Sequence, residues 1–230
     1  MRIYFIGQKG MPTDNGGIER HVEELATRLA DKGHEVFVYT RPHYTPAGLT
    51  RYKGVNLISV PTIKTKHLDA IIHTFMATID AMRRDADVIH YHGIGPVSLA
   101  WLPRLFKQSA KVFFTFHCQD YKHQKWGVFA QAFLRLGEWV GIQSAHQSIT
   151  VSQTLKKYVR TKYSRALIYL PNGCPEVKRL KSSATLARFG LRKNEYFLSV
   201  SRLIRHKGIH TLIKAYRKLR TTKKLVIVGD

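Results

Sequence analysis

The stretch Gly7–Leu25, "GQKGMPTDNGGIERHVEEL", follows directly on the apolar opening "MRIYFI". Together they read as a short strand, a long glycine-rich loop and the start of an amphipathic helix over Ile18–Lys32, with Val22, Leu25 and Leu29 on its apolar side. A plain connector needs only a few residues. Glycine is costly to order, so glycines at positions 7, 10, 16 and 17 mark backbone that must bend sharply or approach something closely. The loop falls between the carboxyl end of a strand and the amino end of a helix, the usual ligand crevice of an open α/β sheet. Free N–H groups in the first turn of the helix suit an anion, and Glu19 suits the helix dipole there. The glycine spacing is not G-x-G-x-x-G and no Gly-Lys-Ser/Thr follows, which disfavours a dinucleotide fingerprint and a P-loop.

Outward from this stretch the same alternation continues. Strand-like runs cover Arg2–Ile6, Glu35–Thr40, Val55–Val60, Val88–Tyr91, Lys111–Phe116, Gln147–Val151 and Ala166–Leu170. Helical patterns cover Leu68–Arg84, Val97–Lys107, Val128–Ser144 and Gln153–Val159. Short buried strands alternating with helices predict an α/β fold: a Rossmann-like, doubly wound parallel sheet covered on both faces.

The pattern changes at Leu170. Pro171, Asn172, Gly173 and Pro175 punctuate the chain, and a basic stretch leads to a fresh βαβ: Tyr196–Val200, a helix over Gly208–Leu219, and Leu225–Val228. The expected layout is a first domain over 1–172, a linker over 173–192 and the incomplete start of a second domain over 193–230. Two strands and one helix do not close such a core, so either the chain is a fragment or this part packs on something else.

Composition excludes some classes and leaves others. Of 230 residues, 44% are hydrophobic, enough for a core. No apolar run reaches the roughly 18 residues of a membrane span, and no signal peptide is visible, which makes the cytoplasm the simplest location. Two cysteines, Cys118 and Cys174, do not make a disulfide framework. The net charge is +23, and residues 121–230 carry 23 Lys/Arg against 4 Asp/Glu. Such a field attracts polyanions, anionic membranes or phosphorylated substrates without choosing among them.

Six segments together carry a family resemblance: "GGIERHVEELATRLADKGHEVFVYT", "DVIHYHG", "FFTFHCQDY", "ITVSQ", "LPNG" and "FLSVSRLIRHKGIHTLIKAY". In this order the chain resembles retaining glycosyltransferases of the GT-B fold, glycosyltransferase family 4. The resemblance implies two Rossmann-like domains facing each other across a cleft, a nucleotide-sugar donor, a glycan, polyprenyl or lipid acceptor, and no metal or other cofactor.

By the same resemblance, Gly16 and Gly17 match the loop that approaches the donor phosphates and the acceptor. His117 matches the histidine beside the transferred sugar and is the catalytic candidate. Arg202 and Lys207 match the basic pair on the donor diphosphate, where fixed cations meet the growing charge of the leaving group. Asp120 is a candidate acceptor contact, and Asn172 and Gly173 mark the crossing between domains. The family's second domain continues past "VIVGD" to a glutamate pair that holds the donor, and this sequence shows no such Glu-x7-Glu.

Several readings stay open beside this one. His90 and His92 sit two apart on one strand and face one side, but spacing suggests no third ligand for a metal. The Leu68–Arg84 helix, with Ile71, Ile72, Phe75, Met76 and Ile79, suits either packing on the sheet or docking at the inner face of a plasma membrane. A catalytically inactive binding domain is the first alternative in function. A basic nucleic-acid-binding protein is another, although no helix-turn-helix, RRM or zinc module is present.

Overall fold

Along the first strand, β1 (Arg2–Ile6), Ile3 and Phe5 are buried in one apolar cluster and Tyr4 and Ile6 in another. A strand buried on both faces belongs inside a sheet covered on both sides. The computed structural model describes residues 1–13, 16–65, 68–122, 126–174 and 184–230. The chain divides into two units, Met1–Gly173 and Cys174–Asp230.

The first unit continues with β2 (Glu35–Thr40), β3 (Arg51–Tyr52), β4 (Val55–Ser59), β5 (Val88–His92), β6 (Lys111–Phe116), β7 (Gln147–Thr150) and β8 (Ile168–Tyr169). The sheet order is β3-β4-β2-β1-β5-β6-β7-β8. All neighbours pair in parallel except β3 and β4. From β1 the chain winds one way through β2 and β4, then returns to β5 and winds the other way. The topological switch point therefore lies between β1 and β5, where such sheets bind ligands.

Five helices cover this sheet among the described residues: α1 (Gly17–Asp31), α2 (Leu68–Arg83), α3 (Trp101–Phe106), α4 (Val128–Ser144) and α5 (Gln153–Tyr163). Val22 and Ala26 of α1 close over Ile3, Phe5, Val36 and Val38. Ala77 and Ala81 of α2, Leu134 and Ile142 of α4 and Val159 of α5 close over the opposite face, with Phe114 and Phe116. The sheet is doubly wound, as the strand and helix pattern predicts.

Three local differences have physical causes. The helix expected over Val97–Lys107 is broken into a 3-10 turn, Pro96–Leu99, and α3. Pro103 has no N–H to give to the preceding turn, so a continuous helix cannot run through it, whereas the first turn of α3 needs no such bond. Helix α5 runs beyond Val159 to Tyr163, where Ser164 stops it in the left-handed conformation at φ 53°. Strand β3 is too short to show as a pattern; Lys53 and Gly54, both at positive φ, turn it back onto β4 as a hairpin.

In the second unit α6 (Ala184–Arg188) precedes β9 (Tyr196–Val200), α7 (Ile209–Lys218) and β10 (Lys224–Val228), and β9 and β10 pair in parallel. Residues 175–183, the middle of the stretch read as a linker, lie outside the described residues. Phe197, Leu198, Val200 and Val228 remain exposed on this two-stranded sheet.

Candidate active site

The opening loop shows why it needs its glycines. Gly7 has φ +123°, and a methyl group there would run into the His92 carbonyl and the Pro96 ring. The chain leaving β1 is thus pressed against the chain leaving β5, right at the switch point. Gly16 has φ +102° and begins α1, its carbonyl accepting the Arg20 N–H at 3.0 Å. Space beside Gly17 is open. Behind the loop, the buried Glu23 accepts the Thr13 N–H at 2.8 Å and the Arg20 guanidinium at 3.1 Å, tying loop to helix. Asp14 and Asn15 lie outside the described residues.

His117 directly follows β6, and His92 ends β5, its parallel neighbour. His92 Nδ1 and His117 Nε2 are 3.1 Å apart and share a hydrogen bond. His21, on the second turn of α1, stands edge-on to His117 with ring centroids 4.9 Å apart. Its Nδ1 pairs with Asn172 Oδ1 at 2.9 Å, across 151 positions of sequence. His90 lies on the same strand face as His92, centroids 4.2 Å apart, and pairs with Thr115 Oγ1 at 2.8 Å. The α1 amino-terminal region, His117 and Asn172 therefore meet at one edge of the first unit, although they are far apart in the chain.

Burial sets the chemistry of these rings. It pushes His90 and His117 down to about 3, helped by repulsion from His21. Burial also drives His92 well below the ordinary value, and it lowers His21 despite the Asn172 bond. All four are uncharged at neutral pH. A neutral imidazole offers one N–H and one lone pair, so His117 can orient a hydroxyl group but holds no spare proton to donate as an acid.

Asp120 opens the short 3-10 turn Asp120–Lys122 after His117, and its Oδ1 takes the Cys118 thiol at 3.1 Å. The turn is braced from below. Tyr121 OH meets Gln119 Nε2 at 2.6 Å and Tyr158 OH at 3.0 Å, and Tyr158 donates to the buried Glu138 carboxylate at 2.7 Å. Tyr163 and Lys162 donate to the same carboxylate oxygen, Oε1, at 2.5 and 3.2 Å. Glu138 thus joins α4 and α5 to the loop carrying His117. Sequence reasoning passed over it, because one glutamate among apolar helix positions looks like an exposed charge.

Gly173 ends the first unit, with open space beside its Cα. Arg202 and Lys207 lie in the second unit, both exposed, between β9 and α7. The 3-10 turn Arg205–Lys207 leads into Gly208 at φ 71°, which caps α7. Two basic side chains therefore flank a strand-to-helix turn, a geometry that receives phosphate at the helix amino end.

A doubly wound sheet, a glycine-bounded helix start at its switch point and polar rings gathered at the carboxyl edge define the ligand-binding layer of a Rossmann-like α/β protein. The chain belongs to glycosyltransferase family 4, whose model matches residues 15–176. Its fold is shared with sucrose-phosphate synthase from Thermosynechococcus elongatus, at 20% identity and TM-score 0.72 over 100% of this chain and 62% of that one. It is also shared with WaaG, a glycosyltransferase involved in lipopolysaccharide biosynthesis, at 17% identity and TM-score 0.69 over 99% and 63%. Anabaena HepE, solved with UDP and glucose, matches at 20% identity and TM-score 0.64 over 99% and 60%. The chain thus spans about three fifths of the length of these relatives. No curated protein matches it in sequence.

Proposed function

We propose that this protein takes part in transfer of a sugar, with retention of configuration, from a nucleoside-diphosphate sugar to a glycan, polyprenyl or lipid acceptor, without a metal cofactor. The observation that carries the reading is the meeting of the α1 amino-terminal region, His117 and Asn172 at the switch-point edge of a family 4 fold. His117 holds a hydroxyl of the sugar, and Gly16 and Gly17 let substrate approach the α1 start. Asp120 and Gly173 line the acceptor side. Arg202 and Lys207 hold the diphosphate and stabilise it as the sugar–phosphate bond breaks. Calorimetric titration of UDP, GDP and ADP tests this: one of them binds, and Arg202→Ala or Lys207→Ala weakens it about 10- to 100-fold. Unchanged affinity in both variants puts the diphosphate elsewhere.

A specific observation favours a lipid-linked acceptor at an anionic membrane surface. Helix α2 packs on the sheet through His73, Thr74, Ala77, Thr78 and Ala81, and turns its larger apolar side chains Ile71, Phe75 and Met76 outward. Next to it α3 exposes Trp101 and Phe106, and α4 exposes Phe129 and Trp139. Arg104 and Arg135 lie exposed on the same two helices. Exposed aromatics beside cations suit a surface that sinks into the headgroup region, each cation adding about 1 kcal/mol. No helix among the described residues is long and apolar enough to cross a membrane.

A further inference from the structure

Three imidazoles, His21, His92 and His117, each present a ring nitrogen such that all three atoms lie within 4.8 Å of one another. They come from three separate elements, so the cluster is a product of the fold rather than of a local motif. We propose that these three histidines form a binding site for a divalent transition-metal ion of the zinc class, with a fourth position open to solvent or substrate.

The distances suit such an ion. Zinc binds imidazole nitrogen at 2.0–2.1 Å in a tetrahedron, which sets two bound nitrogens about 3.3 Å apart. His92 Nδ1 and His117 Nε2 already stand at 3.1 Å. The third nitrogen closes a gap of at most about 1.5 Å, the difference between 4.8 Å and that tetrahedral edge. His21, partly buried like His117, lies on a helix, where a side-chain rotation supplies this movement.

The surroundings suit it as well. Asn172 Oδ1 accepts from His21 Nδ1–H at 2.9 Å, which puts the free lone pair of that ring on Nε2. That is the outer-shell bond that metal-binding histidines use to fix tautomer and orientation. His92 is buried and its Nε2 has no hydrogen-bond partner among the described residues, so its only hydrogen bond is the one from the Nδ1 that faces His117. Three neutral nitrogen donors with no carboxylate select zinc, cobalt, nickel or copper and reject magnesium and calcium, which require oxygen.

The consequence for catalysis rests on the sugar-transfer reading: an ion here occupies the lone pair of His117 and covers the edge that receives the sugar, so it inhibits. Ion binding itself does not depend on that reading. The test is titration of the 230-residue chain with cobalt(II), read by the strong visible bands of four-coordinate cobalt. One equivalent should develop the bands, zinc should displace it and excess magnesium should not. His21→Ala, a partly buried position that tolerates truncation, should abolish the bands while circular dichroism stays unchanged. Asn172→Ala should weaken binding at least about 10-fold. Absence of four-coordinate bands in the wild type, or an unaltered spectrum in His21→Ala, overturns the site. A parallel titration with UDP, GDP and ADP separates this failure from failure of the nucleotide reading, because neither measurement needs the other.

Discussion

Acidification from pH 7 to pH 5 should destabilise the first unit through its buried histidines. His90 and His117 are held down to about 3 by burial and by repulsion from His21, and His73 to about 4 by burial and the nearby Arg41. Folded, these rings stay neutral through this range; unfolded, each takes a proton near pH 6.5. The unfolded chain therefore binds more protons below pH 6.5, and stability falls as pH falls. The stabilisation is complete above the unfolded value and is lost progressively between pH 6.5 and the folded values. At pH 5 each group has lost about 1.5 units at 1.36 kcal/mol per unit, or about 2 kcal/mol. Three groups titrating independently lose about 6 kcal/mol, against a typical total stability of about 5–15 kcal/mol. Burial of His92 acts in the same direction. Asp69 and Asp80 do not confuse the window. Burial raises each, but Arg41 and Thr62 for Asp69, and Arg84 and Tyr39 for Asp80, hold them net below the ordinary carboxylate value, so they act only at lower pH. The assay is urea denaturation at half-unit steps of pH, with proton NMR of the histidine rings alongside. His117→Gln should remove about 2 kcal/mol of the pH dependence. Equal stability at pH 7 and pH 5, or a His117 ring titrating near 6.5, would show that these rings are not held neutral by burial.

Other outcomes follow from named contacts. Asp69→Asn leaves the Arg41 guanidinium, now 2.8 Å from the carboxylate and buried, without a counter-charge; urea denaturation should show a loss of about 3–5 kcal/mol. Glu24→Gln, which removes exposed pairs to Arg20 and Arg28, should cost less than about 1 kcal/mol in the same assay. Gly7→Ala should lower the thermal midpoint sharply, because the methyl meets the His92 carbonyl at a φ that costs alanine about 1–3 kcal/mol by itself; a midpoint within a degree or two of wild type would contradict the packing at the switch point. Anionic vesicles should capture the protein and release it as salt rises past a Debye length of about 10 Å at 0.1 M. Phe106→Ser with Phe129→Ser should weaken that capture, and equal binding to neutral vesicles at low salt would remove the membrane reading.

The alternation of apolar runs was enough to place most strands and helices, since strands buried on both faces and amphipathic helices write their periods directly into the chain. Pro103 was equally visible, and its missing N–H explains the break before α3. What the sequence hides is the face a helix chooses. On α2 the apolar side chains suggest a core-facing stripe, yet the sheet takes His73 and small residues, leaving Phe75 outside. The site was legible in part. His117 stood out at a strand end, and His92 with His90 marked the neighbouring strand. Parallel pairing of β5 with β6 would have set His92 near His117 from topology alone. The joining of His21 to Asn172 could not be read, because it depends on how α1 is rotated above the sheet and on where the chain returns after β8.

In the proposed function, the switch-point edge handles the sugar of a nucleoside-diphosphate donor through His117. The most direct measurement is release of nucleoside diphosphate from UDP-, GDP- and ADP-sugars, by wild type and by His117→Ala, with circular dichroism confirming that both are folded. Release is expected from one donor class, lowered at least about 100-fold by the substitution, the loss that follows removal of one positioned hydrogen-bonding group. Release at an equal rate by wild type and His117→Ala would contradict it.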